Sequence, residues 1–383
     1  MTSTDVVPGD TGVIVDEIRR AHASRTPLRI VGAGTWLDAG RPVRAERTLQ
    51  LPALMSAGVV HYEPGDLTLS VRATTTLGEI DRLVRAEGQW LALDPMGGSA
   101  GTIGATVATA SSGPLASAFG TPREQVLGLE VVTGRGEVLR VGGRVVKNVA
   151  GFDLTRLMTG AWGTLGAITE VSVRLRARPA ADVTVAVRAS VADAWRWLNA
   201  SEFTPFAAEM LSPAVARAVA GTESSILLLR VGGNESLVRA ALASAASLGE
   251  LRTVDDEAWR QLAGRELPGA AVFRLGTRPS RVATLWERVT SMLERVGGEA
   301  HATLRRGVVR CTIPLEPHDE EFARLRGIMG TLRVDASLVA ERLPAALWAS
   351  LVPPAASDDL SRGIRAAFDP DHLMNPGILG ELA

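Results

Sequence analysis

The stretch from Leu91 to Arg123 is almost free of charge and is dense in Gly, Ala, Ser and Thr. Neither the alternation of a half-buried strand nor the period of an amphipathic helix explains this composition. Small residues let a backbone pass close to a bulky ligand, and Gly reaches positive φ without steric cost. A second Gly-rich stretch runs from Gly160 to Leu175. Two such stretches around a strand-rich segment predict a fold that wraps a large cofactor.

Length and charge narrow the class of protein. A chain of 383 residues predicts about two to three domains. Its 41 Lys and Arg balance 42 Asp and Glu, so nothing favours nucleic acid or an anionic membrane as a partner. No apolar run approaches the ~18 residues of a membrane-spanning helix, and the first residues do not resemble a signal peptide. The single Cys311 indicates the reducing cytoplasm, although attachment to a membrane through a partner subunit stays open. The five His residues form no close pair, so no metal site is predicted.

A short glycine loop follows the first predicted strand. A helix is predicted over residues 12–24 and a strand over 28–31, which leads directly into Gly32-Ala33-Gly34-Thr35-Trp36. Successive amides after a strand can converge on a phosphate. The loop is not the dinucleotide fingerprint, because Leu37 stands where that motif needs its third glycine. An ordinary turn remains the alternative.

The rest of the first half predicts an α+β unit made mostly of strands. Thr76 and Glu79 form a capping box ahead of a helix over 77–87, and Asp153 is placed to cap a helix over 154–158. A hairpin is predicted around Gly134–Gly136. The predicted strands are 48–51, 59–62, 67–73, 126–133, 137–141 and 167–175.

A boundary is expected near residues 176–181, where the pattern changes to alternating strands and helices. This order fits a ferredoxin-like α+β cap domain without internal sequence repeats. The segment from Leu360 to Leu379 is expected to form an extended, fixed loop around Asn375. The predicted strands of the cap are 183–189, 225–231, 270–276, 299–305 and 307–313. Its predicted helices are 191–200, 213–219, 234–247, 255–264, 279–296 and 318–329.

A serine hydrolase is one alternative. Gly97-Gly98-Ser99-Ala100-Gly101 matches the G-x-S-x-G nucleophile elbow, which needs a buried strand directly before it and a packed helix after it. Asp94 and Pro95 interrupt such a strand, and Gly101 and Gly104 weaken such a helix. The match is therefore interpreted as a product of composition.

Several segments together carry a resemblance to a known family. They are VGAGTWL (31–37), YEPGDLTLSVRATTTLGEI (62–80), LALDPMGGSAGTIGA (91–105), GTPREQVLGLEVVTGRGEVLRVGG (120–143), KNVAGFDLTRLMTGAWGTLGAITEVSVRL (147–175) and FDPDHLMNPG (368–377). In this order they resemble the FAD-binding fold of the vanillyl-alcohol oxidase type, also called the PCMH fold. Ser112-Gly113-Pro114 and KNVAGFDLTRLMTG resemble most the FAD-binding subunits of bacterial glycolate oxidases.

The resemblance implies the domain organisation. Residues 1–178 would be the PCMH-type FAD-binding domain, with two α/β subdomains at about 1–58 and 59–178. Residues 179–350 would be the ferredoxin-like cap, and residues 351–383 would return to the flavin.

The resemblance also implies the cofactor and its contacts. FAD would lie with its pyrophosphate at the 32–36 loop, and Thr35 stands where covalent relatives carry a His, so the flavin is expected to be non-covalent. Asn375 would approach the isoalloxazine. The implied contacts are Gly32, Ala33, Gly34, Thr35, Trp36, Pro95, Gly101, Thr102, Ile103, Gly104, Thr121, Arg123, Gly163, Gly166, Ile168 and Asn375.

The implied activity is oxidation of a 2-hydroxy acid to a 2-oxo acid by hydride transfer to flavin N5. The expected setting is a glycolate oxidase-like complex with a second flavoprotein and an iron–sulfur subunit. The metal-binding His pair of some relatives is missing from the cap, so a non-catalytic FAD-binding or electron-relay subunit is the alternative. No catalytic residue is assigned. Two residues, His301 and Tyr62, are candidates for a base, and Lys147 and Asn148 are candidates for cofactor contacts. For each of them a purely structural role is the alternative.

Overall fold

A computed structural model describes residues 10–143, 153–265, 267, 269–316 and 318–380. Lys147 and Asn148, for which a cofactor contact was one reading, lie outside the described residues. Elements are numbered below in chain order, without the isolated 3-10 turns.

The elements up to residue 177 alternate short helices with strands. They are α1 (Asp10–Ser24), β1 (Leu28–Val31), β2 (Arg47–Gln50), α2 (Leu51–Leu54), β3 (Val59–Glu63), β4 (Thr68–Arg72), α3 (Leu77–Arg85), β5 (Gln89–Trp90), α4 (Ile103–Thr109), α5 (Ala116–Phe119), α6 (Pro122–Gln125), β6 (Val126–Val132), β7 (Val138–Gly142), α7 (Leu154–Met158), β8 (Ala167–Arg174) and β9 (Arg176–Ala177).

The later elements are longer and more regular. They are β10 (Ala181–Val187), α8 (Val191–Ala200), β11 (Ala207–Leu211), α9 (Pro213–Ala220), β12 (Ile226–Gly233), α10 (Glu235–Ala245), β13 (Leu251–Thr253), α11 (Glu257–Ala263), β14 (Ala271–Gly276), α12 (Val282–Glu294), β15 (Glu299–Thr303), β16 (Val308–Ile313), α13 (Asp319–Leu332), β17 (Ser337–Arg342), α14 (Trp348–Leu351) and α15 (Asp359–Phe368).

The chain divides into two compact units. The first comprises the residues up to Ser112, Gly120–Arg178 and the residues from Pro354 on. The second comprises Gly113–Phe119 and Pro179–Pro353. The first unit is therefore discontinuous in sequence.

A five-stranded antiparallel sheet, in the order β3-β4-β8-β6-β7, is the frame of the first unit. One face packs on α3 and α4 through buried apolar residues such as Ile80, Val84, Ile103 and Val107. The first unit also contains a parallel pair, β1 and β2, against which α1 packs through Ile14 and Ile18. Removing these apolar side chains from water stabilises each of them by roughly 1.5–3 kcal/mol.

Glu130 links α1 to this sheet. The carboxylate is almost fully buried on β6; its Oε1 accepts hydrogen bonds from Thr11 Oγ1 at 3.0 Å and Thr169 Oγ1 at 2.9 Å, while Oε2 lies 2.7 Å from Arg140 Nη2. Each carboxylate oxygen has a partner, so the buried charge is compensated.

The second unit is a duplicated ferredoxin-like fold. Its eight-stranded antiparallel sheet has the order β13-β10-β12-β11-β15-β16-β14-β17. Taken from each end, both halves show the strand order 4-1-3-2 of a β-α-β-β-α-β unit. The halves join edge to edge where β11 pairs with β15. The predicted ferredoxin-like α+β fold is thus present twice, although the sequence shows no internal repeat.

Burial in the second unit follows the pleat of the strands. Val309, Cys311 and Ile313 of β16 belong to the core cluster covered by α8, α10, α12 and α13. Arg310 therefore points to the opposite face, because successive side chains alternate across a strand. Burial raises the pKa of the Cys311 thiol and keeps it in the unreactive protonated form.

Several elements differ from the sequence-based expectations or were missed by them. The glycine-rich stretch contains a helix, α4, whose first amides are satisfied by tertiary partners, including Gly104 N donating to Ala73 O at 2.9 Å. The segment after residue 358 is not extended throughout, because α15 begins there with Asp358 accepting a hydrogen bond from Ser361 N. The strands β11, β13 and β17 were not predicted.

Other predictions were confirmed within a few residues at each end. They include α1, the capping box of α3, the hairpin of β6 and β7, and the Asp153 cap of α7. In the part of the chain described above, no helix combines the length and the apolar character that spanning a bilayer requires.

Candidate functional site

A cleft that is partly open to solvent lies within the first unit. Four segments form most of its walls: the loop after β1, the residues from Pro95 to Ser111, the loop between α7 and β8, and the residues around Asn375. Among the described lining residues Arg29 alone is charged. The cleft is thus a nearly neutral cradle for a large ligand.

The first glycine-rich stretch is fixed to the turn before α3 by backbone hydrogen bonds. Leu77 N donates to Gly101 O at 3.0 Å and Gly78 N donates to Ser99 O at 2.9 Å. In the opposite direction, Ile103 N donates to Thr75 O at 2.9 Å. These hydrogen bonds are all made by the main chain. They therefore hold the stretch in one conformation although its side chains are small.

Close backbone approach explains two of the glycines. A Cβ on Gly104 would lie 2.7 Å from Ala73 Cβ and 2.9 Å from Ala73 O, and a Cβ on Gly32 would lie 2.6 Å from Thr102 Oγ1. The Thr102 hydroxyl also caps α4 by accepting a hydrogen bond from Ala105 N. The loop after β1 and the start of α4 therefore approach each other more closely than any larger residue permits.

The two glycine-rich stretches are joined to each other. Gly160 N donates to Val107 O at 3.0 Å, and Trp162 N donates to Ala108 O at 2.8 Å. Trp162 has a positive φ of 55° and Gly163 one of 69°, so the loop turns sharply after meeting α4. The two glycine-rich stretches therefore lie side by side in the first unit.

The loop after β1 exposes a row of backbone donors. Ala33, Gly34 and Thr35 are exposed and line the cleft, and no hydrogen bond among the described residues uses their amides. Gly34 has a φ of 76°, so the loop alternates backbone hands as anion-binding nests do. Exposed backbone amides at a cleft wall can bind a phosphate.

Two tryptophans form an aromatic wall. The rings of Trp36 and Trp162 stack with centroids 6.2 Å apart and an interplanar angle of 17°. Both residues line the cleft. An offset stack of this kind stabilises the pair by about 1 kcal/mol and presents a flat apolar surface to a ligand.

Asn375 joins three segments of the cleft. Its Oδ1 accepts a hydrogen bond from Ile30 N at 2.7 Å, its Nδ2 donates to Trp162 O at 2.7 Å, and its own amide donates to Leu28 O at 2.9 Å. Its φ of 45° lies in the left-handed region, which Asn tolerates better than most residues. Buried Asp369 orients the preceding residues by accepting hydrogen bonds from Leu373 N and Met374 N.

Most of the residues implied by the family resemblance meet at this cleft. Those that line it are Gly32, Ala33, Gly34, Thr35, Trp36, Pro95, Gly101, Thr102, Gly104, Gly163, Gly166, Ile168 and Asn375. Ile103, Thr121 and Arg123 do not line it. Ile103 is fully buried in the core. Arg123 donates to Thr159 O from Nε at 3.3 Å.

Thr121 has a structural role in the described contacts. Its backbone amide donates to Glu124 Oε2 at 2.7 Å in the capping box of α6. Burial alone would raise the pKa of Glu124, but the hydrogen bonds from Thr121 outweigh this effect and lower it. Glu124 therefore stays ionised as the partner of the cap.

Sequence reasoning missed much of the apolar wall. Leu37, Met96, Ala105 and Trp162 are next to predicted contacts in sequence, and that adjacency was the available signal, whereas no such signal existed for Val43 or Leu51. The principal missed residues are Leu37, Ala39, Val43, Leu51, Met96, Ala105, Ala108, Trp162 and Ile378.

The alternative chemical readings have no support in the described contacts. Ser99 is exposed, and the preceding strand β5 ends well before it, so the strand that a nucleophile elbow requires is absent. Burial, with a smaller contribution from Glu87, raises the pKa of Tyr62, whose hydroxyl donates to Gln89 Oε1 at 3.2 Å. Within the described residues no group of three His, Cys, Asp or Glu side chains can hold a metal ion.

His301 lies on β15 of the second unit, beside a buried carboxylate. Its Nδ1 is 2.8 Å from Oε2 of Glu209, which is fully buried on β11. Its Nε2 is buried and has no hydrogen-bond partner among the described residues. The carboxylate of Glu209 fixes the orientation of the imidazole ring.

Comparison with known proteins places this architecture. Residues 3–142 match the family described as FAD binding domain. The chain is 33% identical over 256 residues to glycolate oxidase subunit GlcE of Escherichia coli (strain K12). The aligned region covers 67% of this chain and 69% of that protein. It is 32% identical over 179 residues to glycolate oxidase subunit GlcD of Bacillus subtilis (strain 168), covering 47% of this chain and 38% of that one.

Solved structures share the fold at low sequence identity. A 4-ethylphenol oxidase from Gulosibacter chungangensis superposes with a TM-score of 0.74 at 15% identity, covering 97% of this chain and 88% of that one. An alkyldihydroxyacetonephosphate synthase superposes with a TM-score of 0.70 at 16% identity, covering 95% of this chain and 74% of that one. These likenesses establish the PCMH-type fold.

The fold and the relatives together define an FAD-binding flavoprotein. The chain belongs to the FAD-dependent oxidoreductases of the glycolate oxidase and D-lactate dehydrogenase family, to which GlcE also belongs.

Proposed function

We propose that the glycine-lined cleft of the first unit holds the FAD. The observation that carries this proposal is the row of exposed, unpaired amides at Ala33, Gly34 and Thr35 beside a nearly uncharged cleft. These donors suit the diphosphate, and the apolar walls suit the ring systems. Of the predicted contacts, Ile103, Thr121 and Arg123 remain predictions outside this lining.

The residues present fit a non-covalent flavin. The close approaches at Gly32 and Gly104 leave the cleft clear of side chains along one wall, and the Trp36–Trp162 stack offers a flat surface. The side chain of Thr35, a hydroxyl, is not suited to a covalent bond with the flavin. When bound, the flavin supplies a two-electron acceptor for a hydride. The protein's part is to position it and to exclude water from its reactive face.

The proposed reaction is oxidation of a 2-hydroxy acid to a 2-oxo acid. Relatives named glycolate oxidase subunits, D-2-hydroxyglutarate dehydrogenase and D-lactate dehydrogenase support this substrate class. We propose that the chain works in a glycolate oxidase-like complex with a second flavoprotein and an iron–sulfur subunit. A cytoplasmic location is part of the same proposal.

A second candidate function is a non-catalytic subunit that binds FAD structurally or relays electrons. It is favoured by the described residues themselves, since no His, Asp, Glu or Tyr side chain lines the cleft as a ready base. The two candidates differ in whether this chain alone reduces its flavin.

Anaerobic addition of glycolate or D-lactate to the FAD-loaded chain separates them. Bleaching of the visible flavin band in the isolated chain supports the enzyme. A yellow protein that bleaches only after the partner subunits are added supports the relay subunit. A chain that takes up no FAD contradicts both.

A matched pair of variants tests the cleft itself. Gly34→Val forces a β-branched residue into a φ of 76° in the donor loop, so FAD uptake should fall by about tenfold or more. Gly58→Val is the control, because Gly58 also has a positive φ but does not line the cleft. Equal FAD uptake by the two variants would contradict the assignment.

A further inference from the structure

The first unit contains a second cavity, of about 430 Å³, between α7, α15 and the segments 354–357 and 372–380. Its floor is apolar: Leu157, Ala161 and Ile364 pack on the sheet core on one side and line the cavity on the other. A cavity of this size and character matches sites for small organic ligands.

The second cavity shares its walls with the flavin cleft. Along the loop between α7 and β8, Ala161, Thr164 and Leu165 line the second cavity, whereas Trp162, Gly163 and Gly166 line the cleft. The C-terminal segment repeats the pattern, since Ile378 lines the cleft and Leu379 lines the second cavity. Because consecutive Cα atoms are about 3.8 Å apart, one thickness of backbone separates the two spaces.

The polar lining of the second cavity is basic. Arg362, Arg365 and His372 contribute to it, and none of its described lining side chains is acidic. Both arginines already have partners: Arg365 donates to Met374 O and lies 3.5 Å from Asp369, and Arg362 donates to Ser357 O and pairs with Asp359. His372 is exposed, and its ring makes no hydrogen bond or ion pair with another described residue. The imidazole of His372 above an apolar floor is a donor for a carbonyl oxygen on an apolar body.

We propose that this second cavity binds a quinone, which accepts electrons from the flavin through the shared wall. The proposal rests on the proposed FAD site but not on the proposed substrate. The apolar residues hold the ring and its tail, and His372 faces a quinone oxygen. The step balances, because the reduced flavin gives up two electrons and two protons and the quinone takes up both to become the quinol. His372 is placed to pass protons from solvent to a quinone oxygen.

The test begins with binding and uses no hydroxy acid. Titration of the oxidised, FAD-loaded chain with a decyl-substituted benzoquinone is followed by calorimetry. Ala356→Trp places a bulky ring in the second cavity, and Ala355→Trp is the matched control, because Ala355 is an exposed neighbour that does not line it. Wild type and Ala355→Trp should bind alike, and Ala356→Trp should bind at least about tenfold more weakly.

A second measurement follows electron transfer. The flavin is reduced by light with a sacrificial donor, which makes the result independent of substrate specificity, and its reoxidation by the quinone is then timed. In the wild type the rate should saturate with quinone concentration. His372→Asn, which keeps a residue that tolerates the positive φ of 54°, should slow reoxidation and leave FAD content unchanged.

The outcomes separate the two proposals. Failure of glycolate or D-lactate to bleach the flavin even with the partner subunits present, together with saturable reoxidation by quinone, contradicts the proposed substrate and supports the quinone site. Reoxidation that rises linearly with quinone and is equal in all variants overturns the quinone site. Calorimetric binding of a fatty acid but not of the quinone overturns it as well, since the cavity would then serve an anionic amphiphile.

Discussion

At the scale of single residues, Asn375 shows how much of the cleft depends on one amide. Both ends of its side chain are used, by Ile30 N and by Trp162 O, so no isosteric residue satisfies both partners. An aspartate keeps the acceptor and places a negative charge against the carbonyl of Trp162.

We expect Asn375→Asp to lower the free energy of unfolding of the first unit by about 2 kcal/mol, because a buried donor is lost and a carbonyl is left facing a carboxylate. Chemical unfolding followed by the fluorescence of the FAD-loaded chain measures this change. Asn199→Asp, at an exposed position of α8, is the control. Equal midpoints for the two variants would contradict the role given to the side chain.

Gly104 is the tightest position of the first glycine-rich stretch. Gly104→Ala brings a methyl group to within 2.9 Å of the Ala73 carbonyl oxygen, which belongs to the backbone and cannot rotate away. The expected loss is about 1–3 kcal/mol of unfolding free energy, together with weaker FAD retention.

Gly327→Ala is the matched control for that substitution, since nothing lies within 4 Å of the added methyl group in the exposed middle of α13. There the change should raise stability by up to about 1 kcal/mol through helix propensity. A destabilising effect at Gly327 and none at Gly104 would contradict the claim that the backbone at Gly104 leaves no room for a methyl group.

At the scale of elements, the sheet of the second unit carries a buried ionic group on the face opposite its main helices. Glu341 of β17 lies 2.8 Å from Arg310 Nε and 2.6 Å from Arg274 Nε. Burial alone would raise the pKa of Glu341, but the two guanidinium groups outweigh burial and hold the pKa below its usual range. The carboxylate therefore stabilises the fold in its ionised form.

The sign of the pH dependence follows from that lowered pKa. The contribution of Glu341 is complete above the ordinary carboxyl pKa of about 4.3 and is lost as the pH falls through the lower folded-state pKa. Glu341→Gln should cost about 3 kcal/mol at neutral pH, because Arg310 stays buried without its counter-charge. The measurement is urea unfolding from pH 7 to pH 3.

In that series the stability difference between wild type and Glu341→Gln should shrink as the pH falls. Glu316→Gln, at an exposed position, should behave as wild type throughout. A difference that stays constant with pH would show that the charge of Glu341 contributes nothing.

The elements also show where sequence reasoning succeeds. The capping box of Thr76 and Glu79 and the hairpin of β6 and β7 depend on neighbours in sequence, and both were predicted. The helix α4 was missed because its composition is poor in helix-favouring side chains other than Ala, and its first amides pair with Ala73 and Thr75, which no local pattern reveals. The aromatic wall of Trp36 and Trp162 was missed for the same reason, since it joins residues far apart in sequence.

At the scale of the whole molecule, the tryptophans divide between the two units. Trp36, Trp90 and Trp162 belong to the first unit, and the other five belong to the second. Because the proposed FAD cleft lies within the first unit, ligand binding should stabilise that unit directly.

Thermal unfolding with and without FAD tests this division. At a free FAD concentration of about 100 times the dissociation constant, the first unit should gain about 2.7 kcal/mol, and its transition should move to higher temperature. The second unit, whose core contains the buried Trp286, should show a transition that FAD leaves in place. An equal shift of both transitions in calorimetric unfolding would contradict the assignment of the cofactor to the first unit.

The hydrogen bond from Ile30 N to Asn375 Oδ1 also determines when, during synthesis, the first unit can complete its fold. Ile30 and its partner Asn375 are separated by 345 positions in the sequence. At roughly 5–20 residues per second, a ribosome needs about half a minute to connect them. During that interval β1 lacks its C-terminal neighbour and the proposed cofactor cleft lacks one wall, so the nascent chain becomes competent for FAD only when translation has passed residue 378.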